Sequence, residues 1–112
     1  MLAEFTIYPT DKTHLSKDVA RVIEILEDIG VDYRLGPMGT AVEGDWEQVM
    51  SAIRRCHEAM GAGHSRVITT ITIDDRKDQP HHLDEMVSAV ERHLGHRAKY
   101  GEEPKKVVVG GF

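Results

Sequence analysis

The chain has 112 residues, 40% of them hydrophobic and 29% charged, which fits one globular domain with a modest core and argues against a disordered chain. Its formal charge of −5 disfavours nucleic acid or an anionic membrane as partner, since both need clustered Lys and Arg, but leaves a cationic small ligand open. A single cysteine, Cys56, rules out an intrachain disulfide and suits a reducing compartment; with no basic-apolar leader and no long apolar run, the expected location is the cytoplasm.

Residues 2–9 (LAEFTIYP) alternate. Ala3, Phe5 and Ile7 share one face and Glu4, Thr6 and Tyr8 the other, the signature of a half-buried strand. After a polar loop, Ser16 is placed to cap a helix whose Val19, Val22, Ile23, Leu26 and Ile29 recur at helical spacing, and Gly30 is placed to end it. Residues 31–36 and 38–43 read as two short strands joined at Gly36-Pro37. Asp45 and Gln48 have capping-box spacing and open a second helix. Trp46, Val49, Met50, Ile53 and Met60 line its apolar side, with Gly61-Ala62-Gly63 as the stop.

Residues 66–74 (RVITTITID) are β-branched and alternate again, with Val67, Thr69, Ile71 and Ile73 on one face. Pro80 suits a helix start, and Leu83, Met86, Val87, Val90 and Leu94 form a third apolar stripe. The order β-α-β-β-α-β is the split βαβ arrangement. It predicts an α+β, ferredoxin-like sandwich with a four-stranded antiparallel sheet, strand 1 between strands 3 and 4, and an added C-terminal helix. The domain is expected over residues 1–97. Residues 98–112 form a tail in which Val107-Val108-Val109 could add a short edge strand.

The sheet face away from the helices carries Glu4, Thr6, Tyr8, Gly39, Ala41, Glu43, Arg66, Ile68, Thr70 and Thr72. Two readings fit it: a solvated face with incidental charges, or a face covered by another subunit with a polar pocket inside. Pattern alone slightly favours the first. Several functions of this fold are set aside. RNA recognition needs stacking aromatics that strand 3 lacks. A soft-metal carrier needs paired cysteines. An acylphosphatase-type enzyme needs an asparagine, and the sequence has none. No phosphate-binding glycine loop is present. Of the seven histidines, His93 and His96 could share a helix face, but no third ligand is evident and solvated histidines are the preferred reading. Cys56 reads as a small core residue rather than a nucleophile, and Trp46 as a packing anchor.

Three segments together resemble the thiamine-binding-protein family, related to the YkoF-like proteins: Tyr33 to Glu43 (YRLGPMGTAVE), Arg66 to Arg76 (RVITTITIDDR), and the first strand with Glu4 and Pro9. The resemblance covers residues 2–96. It implies a ferredoxin-like fold, assembly into homodimers or homotetramers through the sheets, and binding of thiamine or its hydroxymethylpyrimidine part. A carboxylate can balance the cation of such a ligand and accept from its amino group, with Glu4 and Glu43 as candidates. Thr6, Thr40 and Thr70 offer hydroxyls. Strict alternation puts Thr40 on the helix face, so a bulge near Gly39 is needed for it to join Glu43. Arg66 shapes the pocket or, preferably, bridges to Glu4. No catalytic residue, metal ligand or cofactor is expected. The leading expectation is a non-enzymatic, oligomeric binding protein. An interaction or regulatory module comes second and a histidine-based metalloenzyme last.

Overall fold

The computed structural model describes residues 1–78 and 82–100. Within them the order is β1 (Leu2–Pro9), α1 (Ser16–Ile29), β2 (Asp32–Leu35), β3 (Thr40–Glu43), α2 (Trp46–Gly61), β4 (Val67–Asp74) and α3 (Glu85–Leu94). The four strands form one antiparallel sheet in the order β2-β3-β1-β4, as the split βαβ reading predicts. The expected helix start at Pro80 and the expected edge strand at Val107-Val108-Val109 lie outside the described residues.

Alternation decides the faces. Ala3, Phe5 and Ile7 of β1, with Thr40 and Val42 of β3, are buried beneath α1 and α2. The register Phe5↔Ile71, Ile7↔Thr69 and Phe5↔Thr40 sets their neighbours on the same side. From above, α1 contributes Val22, Ile25 and Leu26, and α2 contributes Val49, Ala52, Ile53, Cys56 and Met60. These positions recur every three or four residues, so one stripe per helix meets the sheet.

The ends follow local chemistry. Gly30, at φ 82°, closes α1 with its N–H on the Leu26 carbonyl at 3.0 Å. Asp45 and Gln48 form the capping box of α2: the Asp45 carboxylate accepts from the Gln48 amide at 2.8 Å, and the Asp45 amide donates back to the Gln48 side chain at 3.1 Å. Two local expectations differ. Leu15, not Ser16, occupies the N-cap of α1, and no side chain caps that end. Trp46 is 53% exposed rather than anchored in the core, whose place on α2 goes to the smaller Ala52 and Cys56.

The third helix stands apart. None of its residues is buried, and Met86, Val90 and Leu94 are exposed. His82 and Leu83, just before it, meet Glu43 and Arg34 on the sheet face opposite α1 and α2. No helix among the described residues is long and apolar enough to cross a membrane.

Candidate functional site

Register arranges the open sheet face in rows. One row runs Asp32, Glu43, Leu2, Asp74 across the four strands; the next runs Arg34, Ala41, Glu4, Thr72. Beyond them Thr6 pairs with Thr70, and then Tyr8 with Ile68. One end of the face is therefore rich in carboxylates and the other in hydroxyl and apolar groups. Glu4 and Glu43 lie on neighbouring strands, diagonal to one another. Diagonal neighbours in a sheet stand roughly 7–8 Å apart, close enough to bracket one small cation.

Two residues beyond the expected set complete this end. Arg34 of β2 donates to the Leu83 carbonyl at 3.1 Å. His82 Nδ1 meets a Glu43 carboxylate oxygen at 2.6 Å. Together they hold the approach to α3 against the open face. The Glu43 hydrogen bond raises the His82 pKa above its ordinary value, with partial desolvation working against it. The Glu43 side chain is only 18% exposed, so its carboxylate is sheltered and already engaged. Sequence reasoning missed both contacts because they join residues 49 and 39 positions apart. The strict alternation of β2 was the available signal for Arg34.

Of the expected ligand residues, the fold brings Glu4, Thr6, Glu43 and Thr70 onto this one face. Thr40 is on the other. The register is regular from Thr40 to Glu43, so the bulge that would turn Thr40 toward Glu43 is absent, and Thr40 is 5% exposed beneath α1. Arg66 lies at the far end of β4. Its carbonyl accepts from the Thr10 amide at 3.2 Å, whereas Glu4 pairs with Thr72. Six residues of strand span roughly 20 Å, so the expected bridge between Arg66 and Glu4 does not form.

A cleft of about 360 Å³ opens beside β1, just before β3 begins. Its walls are Leu15, Val19 and Val22 from the α1 side and Leu35 to Gly39 from the β2–β3 turn; Thr6 and Tyr8 reach it from the open-face side. The volume is within the range of small-molecule pockets, roughly 300–1,000 Å³. The turn itself is tight: the Gly36 amide donates to the Gly39 carbonyl at 2.8 Å, and a Cβ on Gly36 would come within 2.9 Å of that oxygen.

Elsewhere, His64 lies between Asp11 (3.3 Å) and Asp18 (3.4 Å), with Lys12 holding Asp18 at 3.0 Å; His57 bonds the Thr69 hydroxyl. No group of three or more His, Cys, Asp or Glu side chains suited to a metal ion occurs among the described residues. Burial pushes the Cys56 thiol up to about 11, so it is a core group with little thiolate character.

With this geometry established, comparison with known proteins identifies the lineage. The family model described as thiamine-binding protein matches residues 3–91. A UPF0045 protein of Methanothermobacter thermautotrophicus is 40% identical over 96 residues, covering 82% of this chain and 97% of the relative. Among solved structures, the hypothetical protein MJ1052 of Methanocaldococcus jannaschii superposes with a TM-score of 0.74 at 29% identity, covering 80% of this chain and 93% of that one. A domain of unknown function, DUF77, from Bacillus cereus gives 0.67 at 30% identity, with coverages of 77% and 85%.

Proposed function

The chain belongs to the thiamine-binding protein family, and on that premise we propose that it binds thiamine or its hydroxymethylpyrimidine part, without catalysing a reaction, as a cytoplasmic homodimer or homotetramer. The observation that carries this reading is an apolar cleft beside β1 edged by Thr6 and Thr40, with Glu4 on the open face two residues before Thr6. Thiamine joins a cationic ring to a neutral aminopyrimidine. Glu4 and Glu43 suit the first, and an apolar cleft edged by hydroxyls suits the second. Thr6 and Thr70 contribute from the open face and Thr40 from the cleft. Arg66 lies too far along β4 to share a contact with Glu4. The nearness of YkoF-like proteins is part of the same reading.

A ligand that binds only the folded state raises the melting temperature. A thermal-shift panel of thiamine, its phosphates, the pyrimidine and divalent metals tests the proposal. Stabilisation by thiamine or the pyrimidine, and not by metals, is the expected result. Stabilisation by none of them favours the interaction-module reading, for which the exposed apolar stripe of α3 is the supporting feature.

A further inference from the structure

The segment before α3 already occupies the carboxylate end of the open face. Asp32, Glu43, Leu2 and Asp74 form the outermost row of that face, with Arg34 and Glu4 in the next. His82 sets its Nδ1 on the Glu43 carboxylate at 2.6 Å, and one residue later the Leu83 carbonyl accepts from Arg34 at 3.1 Å. The chain thus passes from β3 to β2 as it enters the helix. With Arg76, two residues past the end of β4, α3 borders a groove of about 530 Å³. Contacts to β3, β2 and the end of β4 together lay the start of α3 across this end of the sheet.

No core fastens it there. None of the residues of α3 is buried, and Leu83, Val87 and Ala89 are half-buried. At 10 residues, α3 is also shorter than the roughly 12–15 below which isolated helices are marginal in water. Polar contacts at its entry therefore carry much of its docking, and losing them frays the helix as well as releasing it.

A hydrogen bond to a carboxylate is strongest when its donor is charged. Imidazolium is such a donor; neutral imidazole is a weaker one, and only in one tautomer. The charges around His82 are Glu43 opposite it, Asp84 and Glu85 on its own segment, Asp32 and Asp74 in the Glu43 row, and Arg34 and Arg76 on the cationic side. The balance is acidic, which favours the proton on His82 and, with it, the contact. A protonated His82 also neutralises Glu43, so a second cation meets a carboxylate that is already compensated.

We infer that the stretch from His82 through α3 is a self-blocking strap: its imidazole occupies the carboxylate that a cationic ligand would take, so that proton uptake closes the strap and ligand capture opens it. The inference rests on the small-molecule reading above for its ligand and adds a regulator to that site. Linkage is reciprocal: the factor by which the closed strap lowers the cation's affinity is the factor by which the bound cation disfavours closure.

The test follows two readouts in the ¹⁵N-labelled full chain at pH 6 and pH 8. The first is amide exchange across residues 88–94, corrected for its intrinsic pH dependence, and needs no ligand. The second is the dissociation constant of thiamine. In the native chain, α3 is expected to exchange at least threefold more slowly at pH 6, and thiamine to bind at least threefold more tightly at pH 8. Saturating thiamine is expected to speed α3 exchange. His82→Ala, at an exposed position, is expected to bring α3 exchange to one fast level at both pH values and to remove the pH dependence of thiamine binding. Exchange in α3 that is the same in His82→Ala and the native chain at pH 6 overturns the strap, whatever thiamine does. Thiamine that binds the native chain equally at both pH values and leaves α3 exchange unmoved overturns the competition. Exchange that answers to His82, with no thiamine binding to either chain at either pH, supports the strap as a pH-gated cover of Glu43 and overturns the ligand reading instead.

Discussion

Glu43 shows how one side chain acquires two demands. It is sheltered at the end of β3, and His82 already holds it. A histidine whose pKa is raised in the folded state favours folding most below the unfolded value of about 6.5, and that contribution is lost as pH rises through the folded value. The contact between the approach to α3 and β3 is therefore expected to tighten from pH 8 toward pH 6. Proton titration followed by NMR should place His82 above an ordinary histidine, and Glu43→Gln should bring it back; an unchanged His82 titration in that variant would disprove the pairing. The same substitution is expected to weaken binding of a cationic ligand by about 1.5–3 kcal/mol, the range for hydrogen bonds to charged groups. Glu4→Gln is the control without a histidine partner. The carboxylates were legible in the sequence because alternation alone puts them on one face. The histidine was not, since a contact across 39 residues leaves no local periodicity.

Elements were read best where their determinants are local. The capping box of α2 needs only residues three apart, and it forms as expected. Asp45→Ala should cost about 1 kcal/mol of stability, within the usual span of 0.5–2, in urea unfolding. Leu26→Ala, at a position with 0% exposure, should cost about 2–5 kcal/mol in the same measurement. Equal effects of the two would mean that the core between α1 and the sheet is looser than its burial indicates. Cys56 is likewise local in origin: it falls on the buried stripe of α2, and its thiol, pushed up to about 11, should resist alkylation at pH 8 until the chain unfolds. Reading failed where register decides. Arg66 and Glu4 have the right charges and adjacent strands, but antiparallel pairing sends them to opposite ends.

At the scale of the molecule, the sequence order was enough for the sheet topology, because crossover handedness leaves few arrangements of a βαββαβ chain. It was not enough for α3. An amphipathic period predicts a buried stripe, yet Met86, Val90 and Leu94 stay exposed in the single chain. With Tyr8 exposed on the open face and β4 the outer strand of the sheet among the described residues, these residues make self-association the expected state. Light scattering should give the mass of a dimer or tetramer at micromolar concentration, and the melting temperature should rise with protein concentration. A monomer throughout would remove the oligomeric part of the proposal and leave the cleft untouched. Calorimetric titration of the native chain tests most directly whether this fold holds a thiamine-type ligand. Saturable binding of thiamine or the hydroxymethylpyrimidine, at one ligand per chain, is the predicted result; no heat and no saturation with either ligand up to millimolar concentration would contradict it.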